Sequence, residues 1–182
     1  MSKKVAFLVA AEGIEQVELT EPWKAVTDAG HHAVLISPES GSVQMFNHLD
    51  RADSKQVDLT VADARVDDFD ALVLPGGVAN PDALRRDTGA VSLARDFVAS
   101  GKPVAAICHA PWTLVEADVV RGRRLTSWPS LQTDIRNAGG EWVDEPIVVD
   151  GNLITSRNPD DLPHFCSTLV EWLEHGSAAA AS

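Results

Sequence analysis

The chain has 182 residues, 45% of them hydrophobic and 23% charged, which is globular composition with enough apolar residues for one sizeable core. Fifteen Lys and Arg against 27 Asp and Glu give a formal charge of −12. That balance disfavours phosphate-backbone recognition and adhesion to anionic membranes. No run approaches the ~18 apolar residues of a membrane-spanning helix. The apolar stretch after Lys4 is interrupted at Glu12, too short for a signal peptide, and two cysteines make no disulfide framework. A cytoplasmic protein that binds neither nucleic acid nor membranes is expected.

In chain order, KVAFLVA (4–10) is a continuous apolar run, the pattern of a parallel strand buried on both faces. Val17, Leu19, Trp23, Val26 and Ala29 then recur at helical spacing, predicting a helix over 15–29 with Gly30 as its C-terminal cap. HAVLI (32–36) is a second strand. Two short apolar pieces, 43–46 and 56–59, suggest a small edge hairpin. ALVL (71–74) is a buried strand stopped by Pro75-Gly76-Gly77, followed by a helix over 89–100 closed by Gly101. VAAI (104–107) is the next buried strand, and Pro111 opens a helix over 110–119. Short strands at 124–127, 141–143, 147–149 and 153–155 and a helix over 131–138 follow. A last helix over 162–173 places Leu162, Phe165, Leu169 and Leu173 on one face. Alternating strands and helices predict a doubly wound, mainly parallel α/β sheet with helices on both faces, as one domain over 1–174 with a flexible tail at 175–182.

In such sheets ligands bind at strand carboxyl ends, which directs attention to Gly76-Gly77 and Ile107-Cys108-His109. Cys108 lies at a strand-to-helix junction with Ala106 and Ala110 two residues before and after it, small enough for a sharp nucleophile turn. Amides at the helix start would lower the thiol pKa. The bland alternative is a buried structural cysteine, since Cys is among the most buried residue types. His109 is a base for the thiol or an ordinary first-turn residue. The glycine pair is an oxyanion donor or a plain tight turn. Glu12, Glu15 and Glu18 are dipole-compensating surface residues unless one of them faces the site. Trp112 and Trp128 are core or pocket wall. No metal-ligand spacing is present.

The segments EQVEL (15–19), FDALVLPGG (69–77), GKPVAAICHAP (101–111), RGR (121–123), NAGG (137–140) and TSRNPDDL (155–162) together resemble the PfpI family of intracellular cysteine hydrolases, in the DJ-one/PfpI superfamily. The resemblance implies a flavodoxin-like fold, with Cys108 as nucleophile, Glu18 as a proton relay beside its sulfur, and His109 as base. It also implies an anion pocket made by the amides of His109, Gly76 and Gly77. Asp82 aligns with the glutamate that a neighbouring subunit supplies in protease-like members, and Trp128 with their site tyrosine; this chain has no tyrosine. The implied activity is stress-related and needs no cofactor or metal. It is either a glutathione-independent glyoxalase turning methylglyoxal into lactate or a deglycase of early glycation adducts. Its partners would be a small carbonyl substrate or glycated amine and further copies of the chain, as a homodimer or hexamer. The alternatives are an intracellular peptidase using Cys108, His109 and an acidic residue from a neighbouring subunit, and a non-enzymatic redox sensor.

Overall fold

The computed structural model describes residues 1–176. Its first half runs β1 (Lys4–Leu8), β2 (Glu12–Glu15), α1 (Gln16–Asp28), β3 (His32–Ser37), β4 (Ser42–Asn47), β5 (Asp50–Gln56), β6 (Leu59–Thr60), β7 (Ala71–Leu74), α2 (Ala79–Leu84) and α3 (Thr88–Ala99). The second half runs β8 (Val104–Ile107), α4 (Pro111–Glu116), β9 (Arg124–Leu125), α5 (Gln132–Asn137), β10 (Glu141–Trp142), β11 (Val148–Asp150), β12 (Leu153–Ser156) and α6 (Leu162–His175).

Seven strands form one sheet in the order β11-β12-β8-β7-β1-β3-β6, parallel throughout except for β11 at one edge. Side chains alternate across each strand, so β1 sends Val5 and Phe7 into a core shared with α1 and α6. Its Ala6 and Leu8 enter a second core against α3, α4 and α5. Burial on both faces is why β1, β7 and β8 read as unbroken apolar runs. From β1 the chain moves outward to β3 and β6, then returns to the other side of β1 for β7, β8 and β12. The order therefore reverses between β1 and β7. The carboxyl ends of β1, β7 and β8 meet around that point, where this topology places ligands.

Several details differ from the sequence expectations. The hairpin partner of β4 is β5, the polar segment DRADSKQ, and not 56–59. All seven of its residues are exposed or half-buried on an edge, so it carries no apolar alternation, while Leu59 joins the main sheet beside β3. Residues 12–15 form a strand that pairs with β4, making a separate three-stranded sheet. The short α2, with Pro81 inside it, was not legible from periodicity. α3 begins one residue early because the Asp87 carboxylate caps it at Ala90 N, 2.8 Å away. α4 stops at Glu116, ahead of Asp118 in the left-handed region at φ +54°. α6 continues through His175 to a left-handed Gly176, so the expected tail boundary at 174 falls inside a helix; residues 177–182 lie outside the described residues. Among the described residues no helix is long and apolar enough to cross a membrane.

Candidate active site

Cys108 joins β8 to α4 with φ +63°, a left-handed conformation that non-glycine residues rarely adopt. It costs about 1–2 kcal/mol, and the surrounding backbone enforces it. Cys108 N–H donates to Ser156 O at 3.1 Å, Ala110 N–H to Ile107 O at 3.1 Å, and Trp128 N–H to Cys108 O at 2.8 Å. Ala106 and Ala110 are both buried, consistent with the steric demand expected of such a turn. The sulfur itself is nearly buried, at 5% residue exposure.

Glu18, in the first turn of α1, has no exposed surface. Neither of its carboxyl oxygens has a hydrogen-bond partner of good geometry. The strand-end glycines allow the close approach. A Cβ on Gly76 would sit 2.7 Å from Cys108 Cβ and collide with Glu18 Oε2. Gly77 takes φ +84° against the carbonyl of Gly13, where any Cβ would overlap. Asn80 fixes this turn: its Oδ1 accepts from Ala10 N–H at 2.7 Å and its Nδ2 donates to the carbonyls of Pro75 and Gly76, each at 3.0 Å. Sequence reasoning missed Asn80; the only signal was its Asn-Pro dipeptide, a turn marker. Gly76→Ala is expected to lower stability by about 3 kcal/mol or more, the upper end for overpacking, because the obstructing atoms include the Ile107 carbonyl as well as side chains. Thermal unfolding, with thiol alkylation as a report on the turn, checks this.

Burial dominates the electrostatics. It pushes the Glu18 carboxyl from 4.5 up to about 8, against the favourable influence of the Cys108 thiol and the amides of Gly76 and Gly77. Glu18 is therefore mostly protonated at neutral pH. Burial likewise raises the Cys108 thiol, and any negative charge on Glu18 raises it further, while the amides of Gly77 and His109 oppose both. The expected lowering by amides at the helix start is thus present but outweighed, and the resting sulfur is a neutral thiol. Desolvation drops His109 from 6.5 to about 4, so its ring is neutral, and Nδ1 lies 3.1 Å from Cys108 Sγ. A neutral thiol, a neutral base and a protonated carboxyl converge on one point.

That point opens into a cavity of about 420 Å³ whose accessible lining is mainly apolar. The DJ-1/PfpI family model matches residues 3–172. The chain belongs to the DJ-1/PfpI family. It is 44% identical over 171 residues to deglycase PH1704 of Pyrococcus horikoshii, covering 94% of this chain and 99% of that protein. It is 41% identical over 165 residues to YraA of Bacillus subtilis, named as a candidate cysteine protease, covering 91% and 95% of the two chains. A two-domain crystal structure from Anabaena variabilis, with DJ-1/ThiJ/PfpI-like and ferritin-like domains, superposes with TM-score 0.90 at 36% identity. The match covers 99% of this chain and 50% of that one, so this chain spans half of the two-domain protein.

Against the residues expected from DJ-1/PfpI resemblance, the structure brings Cys108, Glu18, His109 and Gly77 together on the cavity wall. Gly76 does not line the cavity; its amide serves Glu18, and Gly77 and His109 supply the amides near the sulfur. Trp128 is a wall residue at 40% exposure. Trp112 is not; it lies behind His109, tied to Asp134, because α4 turns its first face toward α5. Asp82 is on the exposed side of α2, outside the cavity of its own chain. All three early glutamates line the site, since β2 carries Glu12 and Glu15 along its edge. Glu15 is further held by His48 N–H, which donates to Oε2 at 3.0 Å. His48 and Leu49, at the tip of the β4–β5 hairpin, also line the cavity and had no signal in the sequence.

Proposed function

We propose that the protein is a cysteine-dependent enzyme for reactive dicarbonyls and their early amine adducts. The observation that carries this reading is Glu18: a buried, mostly protonated carboxyl facing the Cys108 thiol and the amides of Gly76 and Gly77, beside the strained turn of the cysteine. A carboxyl of that kind gives a proton with one oxygen and takes one with the other.

On methylglyoxal, Cys108 Sγ bonds to the aldehyde carbon as His109 Nδ1 accepts the thiol proton and returns it to the new alkoxide, leaving a hemithioacetal. Glu18 protonates the ketone oxygen and, as carboxylate, removes the proton from the sulfur-bearing carbon. The enediol is reprotonated at the adjacent carbon, and Glu18 takes back the hydroxyl proton as the thioester carbonyl forms. Water cleaves the thioester to lactate and free thiol. On a hydroxyalkyl amine adduct, the sulfur displaces the amine, which leaves with the thiol proton, and the same hemithioacetal results. Amides of Gly77 and His109 face the sulfur end of these species. The name of the Pyrococcus relative agrees with this chemistry.

The 3.1 Å contact between Cys108 and His109 favours a second reading, peptide hydrolysis, which the Bacillus relative's name shares. Turnover of isotopically labelled methylglyoxal and of a purified Nα-acetylarginine adduct, the latter with a dicarbonyl scavenger present, separates the cases. Lactate from the free dicarbonyl and free amine despite the scavenger are both expected. Amine release that stops when the scavenger is added reduces the activity to a glyoxalase. No product from either, with cleavage of a fluorogenic peptide, would replace the proposal by the peptidase.

A further inference from the structure

His109 is gripped between two indoles. Its ring stacks on Trp128 with centroids 5.6 Å apart and planes 20° apart, and Trp112 packs on it at 5.2 Å and 60°. Both plates are fixed. Trp112 Nε1–H donates to Asp134 Oδ2 at 2.9 Å, with the Arg85 guanidinium 5.7 Å from its ring centroid. Trp128 N–H donates to the carbonyl of Cys108, and Ser127 Oγ, itself an acceptor from Trp142 Nε1–H, donates to the Trp128 carbonyl at 2.9 Å. Trp112 is half-buried and packs against the α3–α5 core, a structural placement. Trp128 is different: it leaves 40% of its surface exposed, fills no core, and its ring meets His109 at the cavity mouth.

We propose that Trp128 is a positioning residue. Its indole, stacked on the His109 ring and tied through its backbone to the nucleophile's carbonyl, fixes the imidazole with Nδ1 against the sulfur and keeps water off the ring face. The inference rests on the reading of His109 as the base. The surroundings of the ring sharpen it. Cys108 lies beside it, Glu18 of α1 beyond the thiol, Glu12 and Glu15 of β2 and His48 of the hairpin line the shared cavity, and Asp134 and Arg85 flank Trp112. Carboxylates would favour a protonated imidazole, yet the ring is held neutral, down to about 4, by desolvation. Trp128 supplies one face of that desolvation.

The test compares Trp128→Ala and Trp128→Phe with wild type. It follows the His109 imidazole by NMR titration, assigned with His109→Gln, and the acid limb of kcat/KM for methylglyoxal. In Trp128→Ala the imidazole pKa is expected to rise by at least about one unit toward the ordinary 6.5. The acid limb should follow it, with kcat falling about tenfold and KM changing less. Trp128→Phe keeps a stacking face and should stay near wild type. Trp128→Leu, apolar but without a π-face, replaces the alanine variant if that fails to fold. An unmoved titration in the alanine or leucine variant overturns the proposal, as does a phenylalanine variant impaired as deeply as alanine. Full turnover by His109→Gln overturns instead the base assignment beneath it, a result read independently of the titration.

Discussion

Cys108→Ala is expected to abolish lactate formation from methylglyoxal, by at least ~10³-fold, with no glutathione and no added metal. The magnitude follows from the absence of a substitute. Among the cavity-lining residues no other thiol, hydroxyl or lysine is present. The second cysteine, Cys166, is half-buried on α6 and does not line the cavity, and its thiol is pushed up to about 12 by burial. Cys108→Ser should be nearly as inactive, because a hydroxyl beside a base that protonates only near pH 4 gains little from it. The fold should tolerate alanine, since the left-handed φ is imposed by Ser156, Trp128 and the β8–α4 backbone and not by the sulfur. Lactate production by Cys108→Ala at more than a few per cent of wild type would remove the covalent step from the mechanism.

The second large effect concerns Glu18→Gln, which keeps the shape of the carboxyl and deletes the proton it exchanges. Turnover should fall by ~10²–10⁴, while alkylation of Cys108 by iodoacetamide stays within a few-fold of wild type, because the native carboxyl is already mostly neutral at pH 7. An unchanged kcat would sink the proton-relay role.

The same variant reads out a stability linkage whose sign is opposite to that of an ion-paired carboxylate. The Glu18 pKa is about 8 when folded against an ordinary 4.5, so between those values the folded state binds the proton more tightly than the unfolded chain. The stabilisation is complete below about pH 4.5 and is lost as pH rises through 8. Relative to Glu18→Gln, wild type should lose up to about 4 kcal/mol across that window. His109, depressed to about 4, works the other way below 6.5, where the unfolded chain takes up the proton more readily. It is common to both proteins and cancels in the comparison. Denaturant unfolding at pH 5 and pH 8 gives the answer; parallel curves for the two proteins would contradict a buried neutral carboxyl.

The strands of the main sheet were legible because burial on both faces leaves a signature no loop shares. ALVL and VAAI fell where expected, and β1 begins where expected at Lys4 but ends at Leu8, two residues short of the apolar run. The nucleophile turn was legible for a steric reason, since two alanines flanking a cysteine at a strand end leave room for a sharp reversal. What stayed hidden depends on tertiary partners. β5 has no apolar face because it is an edge, and α2 is too short to show a period. Which of three glutamates would be desolvated could not be read from their spacing; the family resemblance pointed to Glu18, and the close approach permitted at Gly76 gives the physical reason. The thiol's direction of shift came out opposite to expectation for a related reason. Helix-start amides are a local feature, whereas burial beside a carboxyl is set by two strands and a helix far apart in sequence. Composition and spacing did not separate Trp112 from Trp128; exposure and packing make the first a core plate and the second a cavity wall.

The hairpin of β4 and β5 pairs with β2 in a sheet of its own, without a hydrogen-bonded neighbour in the seven-stranded one. Its tip nevertheless contributes to the wall of the cavity through His48 and Leu49. The group of Cys108, His109 and Glu18 and this stretch of cavity wall are therefore housed in separately built parts. Under the proposed function the hairpin is a separately built faceplate: exchanging the side chains of His48 and Leu49 is expected to change which carbonyl substrates are admitted while the reacting groups stay where they are.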